Sequence, residues 1–158
     1  MVMTAVLNYL HLLATGVLIG KVVLLSFVVA PILARTLERE PFGQVARQLF
    51  PTYYALGLGA AGLGLIALCG ILMIRGLSPT LVLAWSIWMV VLVAESYCRT
   101  PLTSQSNAMR DRLKEQETRG GVDPTLQESW NQLHQRSIYL NSLVLVAGLC
   151  LLGLAGHV

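Results

Sequence analysis

Four long apolar runs separated by polar stretches organise this chain. They cover about residues 5–34, 52–74, 80–98 and 137–156. Each is roughly long enough to cross a bilayer as a helix, which takes about 20 residues. The first exceeds the bilayer core, so it is expected to tilt or to project at one end. It lacks a basic leader and a clear small-residue cleavage site, which predicts a retained helix rather than a signal peptide. Gly16 and Gly20 form a GxxxG pair in it, a spacing that lets another helix approach closely. Pro31 is expected to loosen its last turn. The second run is rich in small residues, among them Gly57, Ala60, Ala61, Gly64 and Gly70. Those would weaken a helix in water but make a close-packing face in lipid.

The polar stretches add local detail. In residues 35–50, Val45, Leu49 and Phe50 predict a short amphipathic helix on the membrane surface. Pro51 suits the first turn of the next helix, and Tyr53 and Tyr54 are placed like interfacial anchors. Pro101 is expected to interrupt the third run. Residues 104–119 read as a soluble helix ended by Gly120 and Gly121. Asp123, Pro124 and Thr125 read as a helix start, with Thr125 and Glu128 forming a capping box. No breaker follows, so this helix should run straight into the fourth span. The expected fold is all-α: an integral membrane four-helix bundle in one domain, with a helical hairpin in residues 99–136.

Composition agrees. The chain has 158 residues, 55% hydrophobic and 12% charged, whereas about a quarter of a soluble domain is charged. The lipid bilayer is therefore its expected environment. A net charge of +3, not gathered on one exposed element, excludes nucleic acid as an expected partner. Cys69, Cys98 and Cys150 lie far apart with no CxxC pair, as reduced packing residues do. The loops at 35–50 and 99–136 carry Arg35, Arg39, Arg47, Arg99, Arg110, Arg112, Lys114, Arg119 and Arg136. The opposite side carries Arg75. The positive-inside rule then places both loops in the cytoplasm and both termini outside, in the plasma (bacterial inner) membrane.

Ionisable residues within a span are functional candidates by default. Lys21 falls near the middle of the first span, and Glu95 in the last turns of the third. The plainer alternative is that Lys21 snorkels and that Glu95 lies at the headgroups beside Arg99. The sharper one is an intramembrane polar cluster. His134, Ser137 and Asn141, spaced by three and four residues, share one helical face that must meet another helix. The cluster would join them to Glu95 and Lys21. A rise of 1.5 Å per residue leaves Lys21 about 10 Å deeper than the others. A metal or haem site at the outer leaflet would draw on His11, Cys150 and His157, without any local ligand spacing such as HxxxH. The alternative makes His11 an interfacial histidine and His157 a tail residue. Trp88, on the Glu95 face, either packs or lines a slot for a quinone-like ring. No nucleophile–base pair, phosphate loop or carboxylate dyad appears, so no enzyme is expected.

Four stretches carry a resemblance: LHLLATGVLIG at 10–20, VVAPILAR at 28–35, LFPTYY at 49–54 and LHQRSIYLN at 133–141. Together they resemble the family of eukaryotic transmembrane protein 205 and its bacterial relatives. That resemblance implies four membrane helices and a role in tolerance or export of toxic metal complexes. The residues fitting its pattern are His11, Pro51, Tyr54, Pro101, His134, Ser137 and Asn141. The first stretch is also similar to the start of CopD-type copper-resistance membrane proteins. Three functions are then expected in order. The first is assistance to transport or export, of a metal or toxic compound, by a homo-oligomer. The second is a non-catalytic accessory subunit of a larger membrane complex. The third is a haem- or quinone-binding redox protein.

Overall fold

The structure is a computed structural model that describes residues 2–157, without the side chain of Arg39. The Arg39 side chain, counted above among the basic loop residues, lies outside the described set. Four continuous helices make up the fold: α1 (Val2–Thr36), α2 (Arg39–Arg75), α3 (Pro79–Thr118) and α4 (Pro124–Leu154). Each is long and apolar enough to cross a membrane, and no strand occurs among the described residues. The bundle runs up and down in sequence order. α1 lies beside α2 and α4, and α3 also lies beside α2 and α4, so α1 and α3 sit on the diagonal.

All four helices are longer than their apolar runs, and three of them pass through a proline. Pro31 and Pro101 do not end α1 or α3. Each is accommodated by a π-helical turn, Leu24–Val29 ahead of Pro31 and Cys98–Leu102 around Pro101. A wider turn re-satisfies carbonyls that a proline leaves without a donor. In α3 the Thr103 hydroxyl also donates to the Cys98 carbonyl at 2.6 Å. Pro51 lies inside α2, so residues 39–50 continue the second span and form no separate surface helix. That extension leans on the extension of α3. The Arg110 guanidinium donates to the Gly43 carbonyl at 3.0 Å. Arg47 pairs with Asp111, and Lys114 with Glu40. The α3–α4 hairpin stands on the same side, turned at Gly120 with φ 97°. Asp123 is the N-cap of α4 and accepts from the Thr125 N–H at 2.9 Å, so the cap falls two residues before the expected one.

Lipid solvates the outside. Phe27, Ile66, Met73, Val93 and Val146 are exposed on the spans, as a bilayer permits. Helices in lipid gain little from burying apolar area and depend instead on close contact. Three glycines of α2 and α4 supply it. A Cβ at Gly64 would lie 2.6 Å from Trp88 Cζ2, one at Gly70 2.9 Å from Leu7 Cδ1, and one at Gly148 2.8 Å from Ile19 Cγ1. Gly16 and Gly20 behave differently. Both are exposed, and a Cβ on either would meet nothing within 4 Å, so the GxxxG pair serves no contact inside the bundle.

Candidate functional site

The four helices converge on one charge pair. Lys21 Nζ donates to Glu95 Oε1 at 2.5 Å across the α1–α3 diagonal. Lys21 is 6% exposed and Glu95 1%. Each side chain comes from a helix interior, so no loop motion is needed to bring them together. The ammonium also sits over the Tyr53 ring, 3.9 Å from its centroid. A cation on a desolvated aromatic face gains about 2 kcal/mol. The Tyr53 hydroxyl donates in turn to Asn141 Oδ1 at 2.8 Å, and Tyr54 shares a hydrogen bond with Ser137 at 3.2 Å. Asn141 closes the chain by donating to the Ser137 carbonyl. Glycine makes the crossing fit: a Cβ at Gly57 would lie 2.5 Å from both Glu95 Oε2 and Lys21 Nζ. Glu95 Oε2 is buried with no hydrogen-bond partner among the described residues.

This arrangement keeps part of the expected cluster and revises the rest. Lys21, Glu95, Ser137 and Asn141 belong to it. His134 does not: it is exposed and stacks on Trp130, with ring centroids 6.5 Å apart. It shares the helical stripe of Ser137 and Asn141 but lies beyond the buried core. Lys21 does not snorkel, and Glu95 pairs with it rather than with Arg99, which is exposed. Tyr53 and Tyr54 are not interfacial anchors; they are 7% and 3% exposed and link α2 to α4. Pairing counted along single helices has no place for them, because their partners are 88 and 83 residues away. Two adjacent tyrosines following a proline were the available signal.

The half of the bundle away from the α3–α4 hairpin holds a second polar contact. His11 is 1% exposed rather than interfacial, and its ring meets Trp88 edge-on at 6.1 Å. The slot considered beside Trp88 is filled by His11 and the Gly64 backbone. His11, Cys150 and His157 do not gather: His11 points into the bundle, while Cys150 and His157 are exposed. Among the described residues no group of three His, Cys, Asp or Glu side chains is placed to hold a metal. Outside the spans, a groove of about 670 Å³ lies among the extensions of α2, α3 and α4. Arg110 stacks over Trp130 at its edge, 5.3 Å from the ring centroid.

Residues 13–112 match a family model described as a domain of unknown function, DUF4149. The chain belongs to this family. The matched stretch contains Lys21, Tyr53, Tyr54, Gly57 and Glu95, so both members of the charge pair lie in the DUF4149 region. Ser137 and Asn141, which complete the network from α4, lie beyond it. Comparison with curated proteins and with solved structures gave no match.

Proposed function

We propose that this DUF4149 protein assists transport or export of a toxic solute, of the class of metal ions or metal complexes, across the inner membrane. The observation that carries this reading is the buried Lys21–Glu95 pair on the bundle diagonal. Charges at membrane depth are expensive, about 2.5–3.5 kcal/mol each on insertion scales. A buried pair is also a poor source of stability compared with an apolar replacement. Its use lies in having two states, paired and parted. Both helices that carry it have a π-helical turn within a few residues on the same side, at Leu24–Val29 and Cys98–Leu102. Such turns are places where a helix shifts register. The resemblance to transmembrane protein 205 points the same way. The basic residues of the two large extensions support a cytoplasmic position for them, with both termini outside. One bundle of four helices offers little room for a solute path, so the working form is an oligomer.

The experiment is a concentration jump on a solid-supported membrane carrying the reconstituted protein. A panel of divalent metals, metal complexes and organic cations is applied in turn. The wild type gives a transient current with at least one of them. The Lys21→Met/Glu95→Leu double variant, shown to be folded, gives none. Equal currents in the two proteins would defeat the assignment.

A second reading, an accessory subunit of a larger membrane complex, draws on Gly16 and Gly20. Their open face admits a helix from outside the bundle. Gentle extraction separates the two readings, because a stoichiometric partner chain favours the subunit and a homo-oligomer favours transport.

A further inference from the structure

A second, smaller groove lies on the flank of the α3–α4 hairpin, with a volume of about 360 Å³. Its rim holds Arg112 and Gln105 from α3 and Arg136 and Gln132 from α4, and its floor holds Met109 and Leu133. No acidic residue lines it. Three acidic side chains near it are engaged elsewhere: Asp111 takes Arg47, Glu40 takes Lys114 and Glu115 takes Arg119. Arg112 and Arg136 are both exposed and line the same groove. Two guanidinium groups flanked by two amide side chains suit a phosphate, since the planar fork of arginine matches its oxygens.

The level of the groove narrows the source. Lipid-facing apolar surface on α4 begins at Ile138, 50% exposed, and Tyr139, 70% exposed. An exposed tyrosine at that point marks the headgroup boundary. Arg136 is less than one helical turn outside it. At 1.5 Å per residue the groove reaches about 10 Å further along α4, to Ser129. That span runs outward through the headgroup layer, with Met109 and Leu133 lining its middle. Basic pockets between helices at this depth are suited to anionic headgroups.

We propose that this groove binds the phosphate headgroup of an anionic phospholipid. This goes beyond the transport reading and does not depend on it. The test is native mass spectrometry of the full chain released from micelles containing phosphatidylglycerol or phosphatidylcholine. The wild type retains phosphatidylglycerol in preference to phosphatidylcholine. Arg112→Gln and Arg136→Gln each weaken that retention roughly fivefold, and together multiplicatively. Arg35→Gln, at the end of α1, leaves it unchanged. Circular dichroism and size exclusion check that the variants, all at exposed positions, keep the fold. Equal retention of the two lipids, or undiminished phosphatidylglycerol on the double variant, would overturn the proposal. A parallel arm titrates glycerol 3-phosphate and inorganic phosphate against the bound lipid. Failure of both to displace it supports a lipid site; displacement by either at low concentration makes the groove a soluble phosphate site and overturns it.

Discussion

Gly57→Ala adds one methyl group at the crossing of Lys21 and Glu95. Built on the present backbone, that carbon lies 2.5 Å from Glu95 Oε2 and 2.5 Å from Lys21 Nζ. Ordinary contact needs about 3.5–4.0 Å, so one or both side chains must retreat by about 1 Å. Neither has slack: Lys21 is held over the Tyr53 ring and Glu95 is 1% exposed. Overpacking of this kind costs about 1–3 kcal/mol. If the pair parts altogether, the penalty approaches the ~3–5 kcal/mol of a broken buried pair. Gly59→Ala is the control, because a Cβ there meets nothing within 4 Å. The assay is thermal unfolding of the purified protein in one detergent. A loss of 1–3 kcal/mol corresponds to a fall of roughly 2–12 °C in Tm for a chain of this size. Gly59→Ala should match the wild type or exceed it. Equal Tm values for the two variants would refute the crossing geometry.

Other consequences are as specific. Tyr53→Phe removes only the hydrogen bond to Asn141 and should cost about 0.6 kcal/mol, the mean for polar pairs between membrane helices. Tyr53→Leu also removes the ring under Lys21 and should cost about 2 kcal/mol more; equal losses in denaturant titrations would contradict this. Arg110→Ala removes one of the three ties between the α2 extension and α3, and hydrogen exchange in residues 39–50 should rise roughly tenfold. Arg110→Lys should restore protection only in part, because an ammonium lacks the planar face that lies over Trp130. The Asp123 carboxyl is held below its usual range by the Thr125 N–H and hydroxyl. A lowered folded-state pKa gives stability that is present above about pH 3.9 and lost as pH falls through the folded value. Amide protection in the first turn of α4 should therefore fall on acidification in the wild type but not in Asp123→Asn.

Sequence alone carried the spans well because a helix in lipid must satisfy its own backbone and present an apolar surface. It carried the helix ends poorly. Pro51 and Pro101 looked like boundaries, yet the helices pass through them. The continuation of α2 depends on Arg110 reaching Gly43 and Arg47 reaching Asp111, contacts between residues more than sixty positions apart. The same limit applied at the site. Lys21 and Glu95 were singled out by their charge at membrane depth. Counting rise along each helix separated them by about 10 Å, a gap closed by the length of the lysine side chain and the diagonal crossing. Spacing alone could not exclude His134, because three- and four-residue steps set a face but not a depth. Tyr53 and Tyr54 read as surface anchors because aromatic residues beside a polar stretch usually sit there. Their hydroxyls instead find Asn141 and Ser137 on α4.

Lys21 and Glu95 form a coupled pair across the bundle axis. A double-mutant cycle on Lys21→Met and Glu95→Leu measures it directly, by reversible unfolding of the four proteins in lipid–detergent micelles. Each single change leaves one buried charge without its partner and should cost about 3–5 kcal/mol. The double variant should be more stable than either single one and close to the wild type, because an apolar pair of similar volume replaces the ions. Penalties that simply add in the double variant would mean that the two charges do not act on each other.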